Sequence, residues 1–122
     1  SCEVIDMRTI KPLDIGTIKN SVKKTKRILC IDPGASSISV SSEILCCIIE
    51  ELNHKSIEAI AKIGMPNMPE PTSYELTKDF YNDADDIINK VLEIFEKTKL
   101  QKPIIRKQER HDVPGEWFRG PF

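Results

Sequence analysis

With 122 residues the chain has room for one domain, and 39% hydrophobic with 30% charged residues excludes a disordered polymer. Eighteen basic against nineteen acidic side chains leave a formal charge of −1, which gives no long-range pull toward nucleic acid or a membrane surface. No apolar run approaches the ~20 residues that span a bilayer, the opening residues lack a signal-peptide pattern, and Cys2, Cys30, Cys46 and Cys47 show no C-x-x-C spacing, so the expected setting is a reducing, cytoplasmic one.

Glu3 to Arg8 (EVIDMR) carries the β-branched Val4 and Ile5 and predicts a strand. Pro12 turns the chain, and Asp14 is placed to cap a helix from about Ile15 to Lys24. Ile15, Ile18 and Val22 recur at helical spacing, so they face a core. Lys19, Lys23, Lys24, Lys26 and Arg27 form a solvated face rather than a nucleic-acid patch. Arg27 to Asp32 (RILCID) is a continuous apolar run, as in a strand buried on both faces, and Pro33 and Gly34 end it. Cys30 lies inside that run as a small hydrophobe. After the polar loop Ala35 to Ser39, Ser41 or Ser42 caps a helix from Ser42 to Leu52, apolar through Ile44, Leu45, Ile48 and Ile49.

Ser56 to Ile63 predicts a third strand, with Ile57, Ala59, Ala61 and Ile63 on one side and Gly64 closing it. Pro66, Pro69 and Pro71 then exclude regular helix or central strand from Met65 to Ser73, leaving a stiff extended loop. A last helix runs from Asp83 or Ala84 to Thr98, with Ile87, Ile88, Val91, Leu92 and Phe95 on its apolar side. Acidic residues at its start and lysines at its end suit its dipole. Residues 100–122 are proline-broken and end in Trp117, Phe118 and Phe122. They read either as a disordered tail or as an arm that docks its aromatics.

Strand and helix alternate, which predicts an α/β fold: three layers, α/β/α, around a mainly parallel sheet with right-handed crossovers. The domain covers residues 1–99 and the extended tail 100–122. Leu29, Ile31, Ile44, Ile48, Ile87 and Val91 are expected to share one core.

Catalytic chemistry does not emerge from spacing. His54 lies in a turn and His111 in the tail, away from the strand ends where such sheets place their sites. No clustered Cys/His motif offers metal ligands. Asp79, Asp83, Asp85 and Asp86 lack the calcium-loop spacing and read as a helix start. The serine-rich loop from Ala35 to Ser42 precedes a helix N-terminus and is a candidate anion site, although it lacks a glycine fingerprint and a P-loop lysine. No catalytic, cofactor-binding or metal-binding residue is assigned.

The segment EVIDMRTIKPLD (Glu3 to Asp14) resembles a signature of the transketolase C-terminal domain family, most closely in the β chains of thiamine-diphosphate-dependent 2-oxoacid dehydrogenases. TIKNSVKKTKRILCID, Ser42-Glu43-Ile44, IGMPNMPEPTS and Asp85-Asp86-Ile87 continue the similarity through about residue 96. The resemblance implies a non-catalytic interaction domain of a pyruvate or 2-oxoisovalerate dehydrogenase β chain, supporting subunit assembly for oxidative decarboxylation. Such a multienzyme complex is cytoplasmic, or in the mitochondrial matrix of a eukaryote. It implies that thiamine diphosphate and magnesium belong to the parent enzyme and are held by other domains, so this chain binds no cofactor. Implied partners are the α chain, a second β chain and the acyltransferase core. Met65, Pro66, Pro69, Pro71, Trp117 and Phe118 are the candidate interface residues. Transketolase and deoxyxylulose-phosphate synthase carry a similar R-x-x-KPLD segment and are the alternative, beside a free-standing anion-binding regulatory domain.

Two departures bear on geometry. Where the family has glycines before the second helix, this chain has Ser37, Ile38, Ser39 and Ser41, which adopt left-handed backbone less readily. The family domain also has a strand and helix before EVIDMR that this sequence does not contain, so an exposed sheet edge and self-association, or binding to a partner chain, are expected.

Overall fold

Asp14 starts the first regular element. In the computed structural model, which describes residues 1–77 and 80–98, its carboxylate accepts the Thr17 amide at 3.1 Å and caps α1 (Ile15–Thr25). Ile18 and Val22 are buried, and the left-handed Lys26 (φ 61°) closes the helix by donating its amide to Val22. That single residue leads into β1 (Arg27–Ala35), which pairs in parallel with β2 (Ala59–Met65) from Arg27↔Ala59 to Ile31↔Ile63. Between them run α2 (Val40–Glu51) and a 3₁₀ turn (His54–Ser56). A short α3 (Tyr74–Thr77) and α4 (Ala84–Ile94) follow. Asp83 and Asp86 form a reciprocal capping box at the start of α4.

Side chains alternate across a strand, so the sheet has two distinct faces. Cys30 and Ile28 meet Ile18 and Val22 of α1 and Ile44, Ile48 and Leu52 of α2 in one apolar cluster. The opposite face carries α4: the Arg27 guanidinium lies 4.7 Å from the Phe95 ring centroid, just past that helix. Ile63 is buried apart from the α1–α2 cluster. The arrangement is the expected three-layer α/β/α.

Several expectations change. Glu3 to Arg8 forms no strand, and Arg8 has left-handed backbone at φ 34°; Glu3 accepts from Ser21 and Lys24 on α1, which ties the start of the segment to that helix. β-branched residues favour extended backbone, but a strand also needs a neighbouring edge. The sheet therefore has two strands, not three, among the described residues. β1 runs past Pro33 and Gly34 to Ala35 through an irregular register, since the four-residue step from Ile31 to Ala35 on β1 matches only the two-residue step from Ile63 to Met65 on β2. β2 begins at Ala59 because 54–56 has already formed a 3₁₀ turn. The cap of α2 is Ser39, not Ser41 or Ser42, and the helix starts earlier, at Val40. The last helix is shorter than expected: α4 stops at Ile94, and Glu96 is left-handed at φ 55°.

The single shared core also fails. Ile44 and Ile48 pack on one side of the sheet, Ile87 and Val91 belong to α4 and are half-buried, and Ile31 is 54% exposed. Arg27 leaves the solvated basic face, being half-buried between Phe95 and an ion pair with Glu58. The expectations for the tail, residues 100–122, lie outside the described residues.

Candidate functional site at the C-terminal edge of the sheet

Strand ends in a parallel sheet converge on loops, and here two loops meet. The Ser36 amide donates to the Met65 carbonyl at 2.8 Å, joining the loop after β1 to the end of β2. Gly64 permits the approach: a Cβ there would stand 2.9 Å from the Ser36 Cα. The amide oxygen of Asn67 then accepts from Ser36 Oγ at 3.1 Å, Ser37 N at 3.0 Å and Ser37 Oγ at 2.9 Å. One side chain from the proline loop thus fixes the serine loop, although about thirty residues separate them.

The serine loop does not present an open anion cradle. Asp32 accepts from Gly34 N at 2.8 Å, and from Ser41 N at 3.1 Å and Ser41 Oγ at 3.2 Å at the start of α2. A carboxylate from the chain itself occupies the place where the helix N-terminus would draw a phosphate. The Gly34 amide, with help from Ser41, holds the Asp32 carboxyl below the usual carboxylate range. Ser39 is used up as the cap of α2. Ile38 stands in left-handed backbone (φ 52°) with its side chain wholly exposed. The left-handed geometry that glycines would serve is therefore retained at a β-branched residue, at a steric cost.

The proline loop contains no regular helix or strand from Pro66 to Ser73, as expected, but Met65 still belongs to β2 and the loop is not extended throughout: it bends at Asn67 and Met68, where the Met68 amide donates to the Pro66 carbonyl at 2.9 Å. Pro66 and Pro69 are exposed and Met65 and Pro71 half-buried; Met68, which no sequence pattern singles out, is 59% exposed. Tyr81 donates to Glu70 and meets Phe80 edge-on at 5.3 Å. Beside these loops a cleft of about 390 Å³ lies between β2 and α4, lined in part by Ser36, Lys62, Asn82, Asp86 and Lys90. Its polar groups are largely engaged. Asn82 donates to the Gly64 carbonyl, Asp86 serves the capping box, and Lys90 pairs with Glu93. Lys62 donates to Ser42 at 2.8 Å.

His54 is exposed in the 3₁₀ turn, and among the described residues no three His, Cys, Asp or Glu side chains converge as a metal set. Trp117, Phe118, His111 and Asp79 lie outside the described residues. Burial pushes the Cys30 thiol up to about 11. Cys46 and Cys47 are also raised, Cys46 chiefly by the Glu50 carboxylate and Cys47 chiefly by desolvation. A nucleophile needs a base within reach, and these thiols face carboxylates that disfavour the thiolate. Thiamine diphosphate with magnesium would need metal ligands and free phosphate donors. The metal set is lacking and Asp32 occupies the α2 amides, so the described residues do not fit that group and supply no step of its chemistry.

The layered parallel fold with two interlocked loops at its strand ends has a defined class. The chain belongs to the transketolase C-terminal domain family, whose model matches residues 1–87. It is 35% identical over 94 residues to the pyruvate dehydrogenase E1 component subunit beta of Rickettsia bellii, covering 77% of this chain and 29% of that protein. The mitochondrial counterpart of Pisum sativum is 34% identical over 88 residues, 72% of this chain and 24% of its own length. That of Dictyostelium discoideum is 28% identical over 99 residues, 81% and 28% respectively. The chain therefore spans less than a third of the curated relatives it matches. No helix among the described residues is long and apolar enough to cross a membrane.

Proposed function

We propose that this chain is the C-terminal interaction domain of a 2-oxoacid dehydrogenase β chain of the pyruvate dehydrogenase type, contributing to subunit assembly rather than to chemistry. The observation that carries this reading is the 35% identity, over 77% of the chain, to a protein named as the beta subunit of that E1 component. Its partners on this reading are the α chain, a second β chain and the acyltransferase core. Thiamine diphosphate and magnesium belong to other domains of the parent enzyme. The proline loop with Met65, Pro66, Pro69 and Pro71 is part of the contact surface. Trp117 and Phe118 extend it if residues 100–122 form a docking arm beyond a 1–99 domain. The substrate assigned is pyruvate, with 2-oxoisovalerate the close chemical alternative, and the compartment is cytoplasmic or mitochondrial.

The regulatory anion-site alternative is disfavoured by Asp32, which fills the α2 N-terminus with the chain's own carboxylate. The identities to E1 beta subunits favour the dehydrogenase over transketolase or deoxyxylulose-phosphate synthase. Co-expression with the E1 α chain encoded in the same genome, followed by native mass spectrometry, tests the proposal. A stable complex containing both chains is expected. Its absence, with both chains folded and soluble, refutes the assembly role.

A further inference from the structure

β1 is paired on one side only. The Ala59 amide donates to the Lys26 carbonyl at 3.4 Å. With the register from Arg27↔Ala59 to Ile31↔Ile63, this turns the backbone groups of Ile28 and Cys30 toward β2. Those of Leu29 and Ile31 point the opposite way, and among the described residues no backbone group meets them. The segment from Glu3 to Arg8 leaves the edge free, since Glu3 is tied to α1. Unpaired N–H and C=O groups along an edge are a template for another strand, and Ile31 is 54% exposed there.

The path of the chain selects the strand that fits. α2 packs on one face of the sheet and α4 on the other. Parallel crossovers are right-handed. The step from β1 over α2 to β2 therefore moves one way across the sheet. The step from β2 over α4, on the opposite face, moves back past β1 to its open edge. α4 ends where that return requires. Phe95 lies on Arg27, the first residue of β1. The left-handed Glu96 then closes the helix, with the Lys97 amide on the Leu92 carbonyl at 2.8 Å. The Arg27 Nε is buried there with no hydrogen-bond partner among the described residues, a donor left for a carbonyl of the passing chain. The far edge, on β2, is less open, because Asn82 already donates to the Gly64 carbonyl. Residues 96–102 reach about 23 Å when extended, more than one layer of ~10 Å and one strand spacing of ~5 Å. Beyond them, Pro103-Ile104-Ile105-Arg106 holds the first adjacent β-branched pair after α4.

We propose that residues 103–106 add to the open edge of β1 as a third, parallel strand, so that the chain's own C-terminal segment completes the sheet. Pro103 has no N–H and so faces away from β1, as does Ile105 two residues on. The Ile104 amide points into the ladder.

Amide exchange with deuterium, followed residue by residue by NMR on the isotope-labelled full chain, tests this. The Leu29 and Ile31 amides should exchange at least about a hundredfold more slowly than in the unfolded chain. Ile104→Pro removes the donor that faces β1 and should speed both at least about tenfold, the scale of one ladder hydrogen bond. The Ile28 and Cys30 amides, which face β2, should keep their protection in that variant. Ile105→Pro, on the outward side, should change Leu29 and Ile31 by less than about threefold. Leu29 and Ile31 amides that exchange freely in the wild type overturn the proposal, as does protection that survives Ile104→Pro. Protection that rises with protein concentration also overturns it and gives the edge to a second copy.

Discussion

Ile48 offers the most direct test of how the layers are held together. It is 0% exposed, sits on α2, and shares its cluster with Ile18 and Val22 from α1, Cys30 from β1, and Ile44 and Leu52 from its own helix and the turn after it. Ile48→Ala removes three carbon atoms from a site enclosed by three elements. Transfer alone costs roughly 2.4 kcal/mol at about 0.8 kcal/mol per carbon. The walls are regular elements that collapse only in part, so the residual cavity raises the loss toward about 4 kcal/mol. Against a typical total of about 5–15 kcal/mol, that is a large fraction of the stability. Urea unfolding followed by far-UV circular dichroism gives the number, with the slope checked for constancy between variants. Ile31→Ala is the internal control. Ile31 is 54% exposed on the other face of the sheet, so its truncation should cost less than about 1 kcal/mol. A loss below about 0.5 kcal/mol for Ile48, or equal losses for the two, would refute the division of the fold by its sheet.

Cys30 should resist Ellman's reagent in the folded protein at pH 8, since burial pushes its thiol up to about 11; rapid labelling located there by mass spectrometry would contradict its placement. Because the unfolded thiol ionises near its ordinary value of 9 while the folded one does not, Cys30 should also lower stability as pH rises from 9 toward 11. Asp32→Ala should cost about 1–2 kcal/mol at pH 7 through the lost capping of Ser41 and Gly34. The Asp32 carboxyl is held below its ordinary value of 3.8, so its contribution is fully present above that value and lost as pH falls below it. Thermal melts of wild type and variant should therefore converge in strong acid. The same variant frees the α2 amides, so phosphate should raise its melting temperature more than that of wild type.

Periodicity made much of this fold legible. The Asp14 cap, the Ile18–Val22 stripe, the buried Cys30 and the helix through Ile44 and Ile48 all follow from local pattern. Pattern did not reveal which face of the sheet each apolar residue would meet. Leu29 and Ile31 alternate with Ile28 and Cys30, and a run that is apolar throughout hides that alternation. The strand expected from Glu3 to Arg8 failed for a related reason: its composition specifies extended backbone but not a pairing edge. The proline loop was visible as a stiff segment, while its clamp was not, because the Asn67 contact spans about thirty residues and depends on Gly64 allowing close approach. One clue to Ile38 was present in the sequence, namely an isoleucine among serines where glycines would ease a left-handed turn.

The sheet also divides burial unequally, with a consequence for how the molecule opens. On the α1–α2 side, Ile18, Val22, Ile44, Ile48 and Leu52 are buried; on α4, Ile87, Ile88, Val91 and Leu92 are only half-buried, and Asp85 is the buried residue. Local opening costs scale with the apolar contact that must be undone. The outer helix is therefore expected to detach while α1, α2 and the strands stay folded, and native-state hydrogen exchange should find its amides exchanging sooner than those of α2. That outcome would divide the chain into two cooperative units of different strength sharing one sheet. The weaker unit carries α4, the helix that leads into residues 99–122.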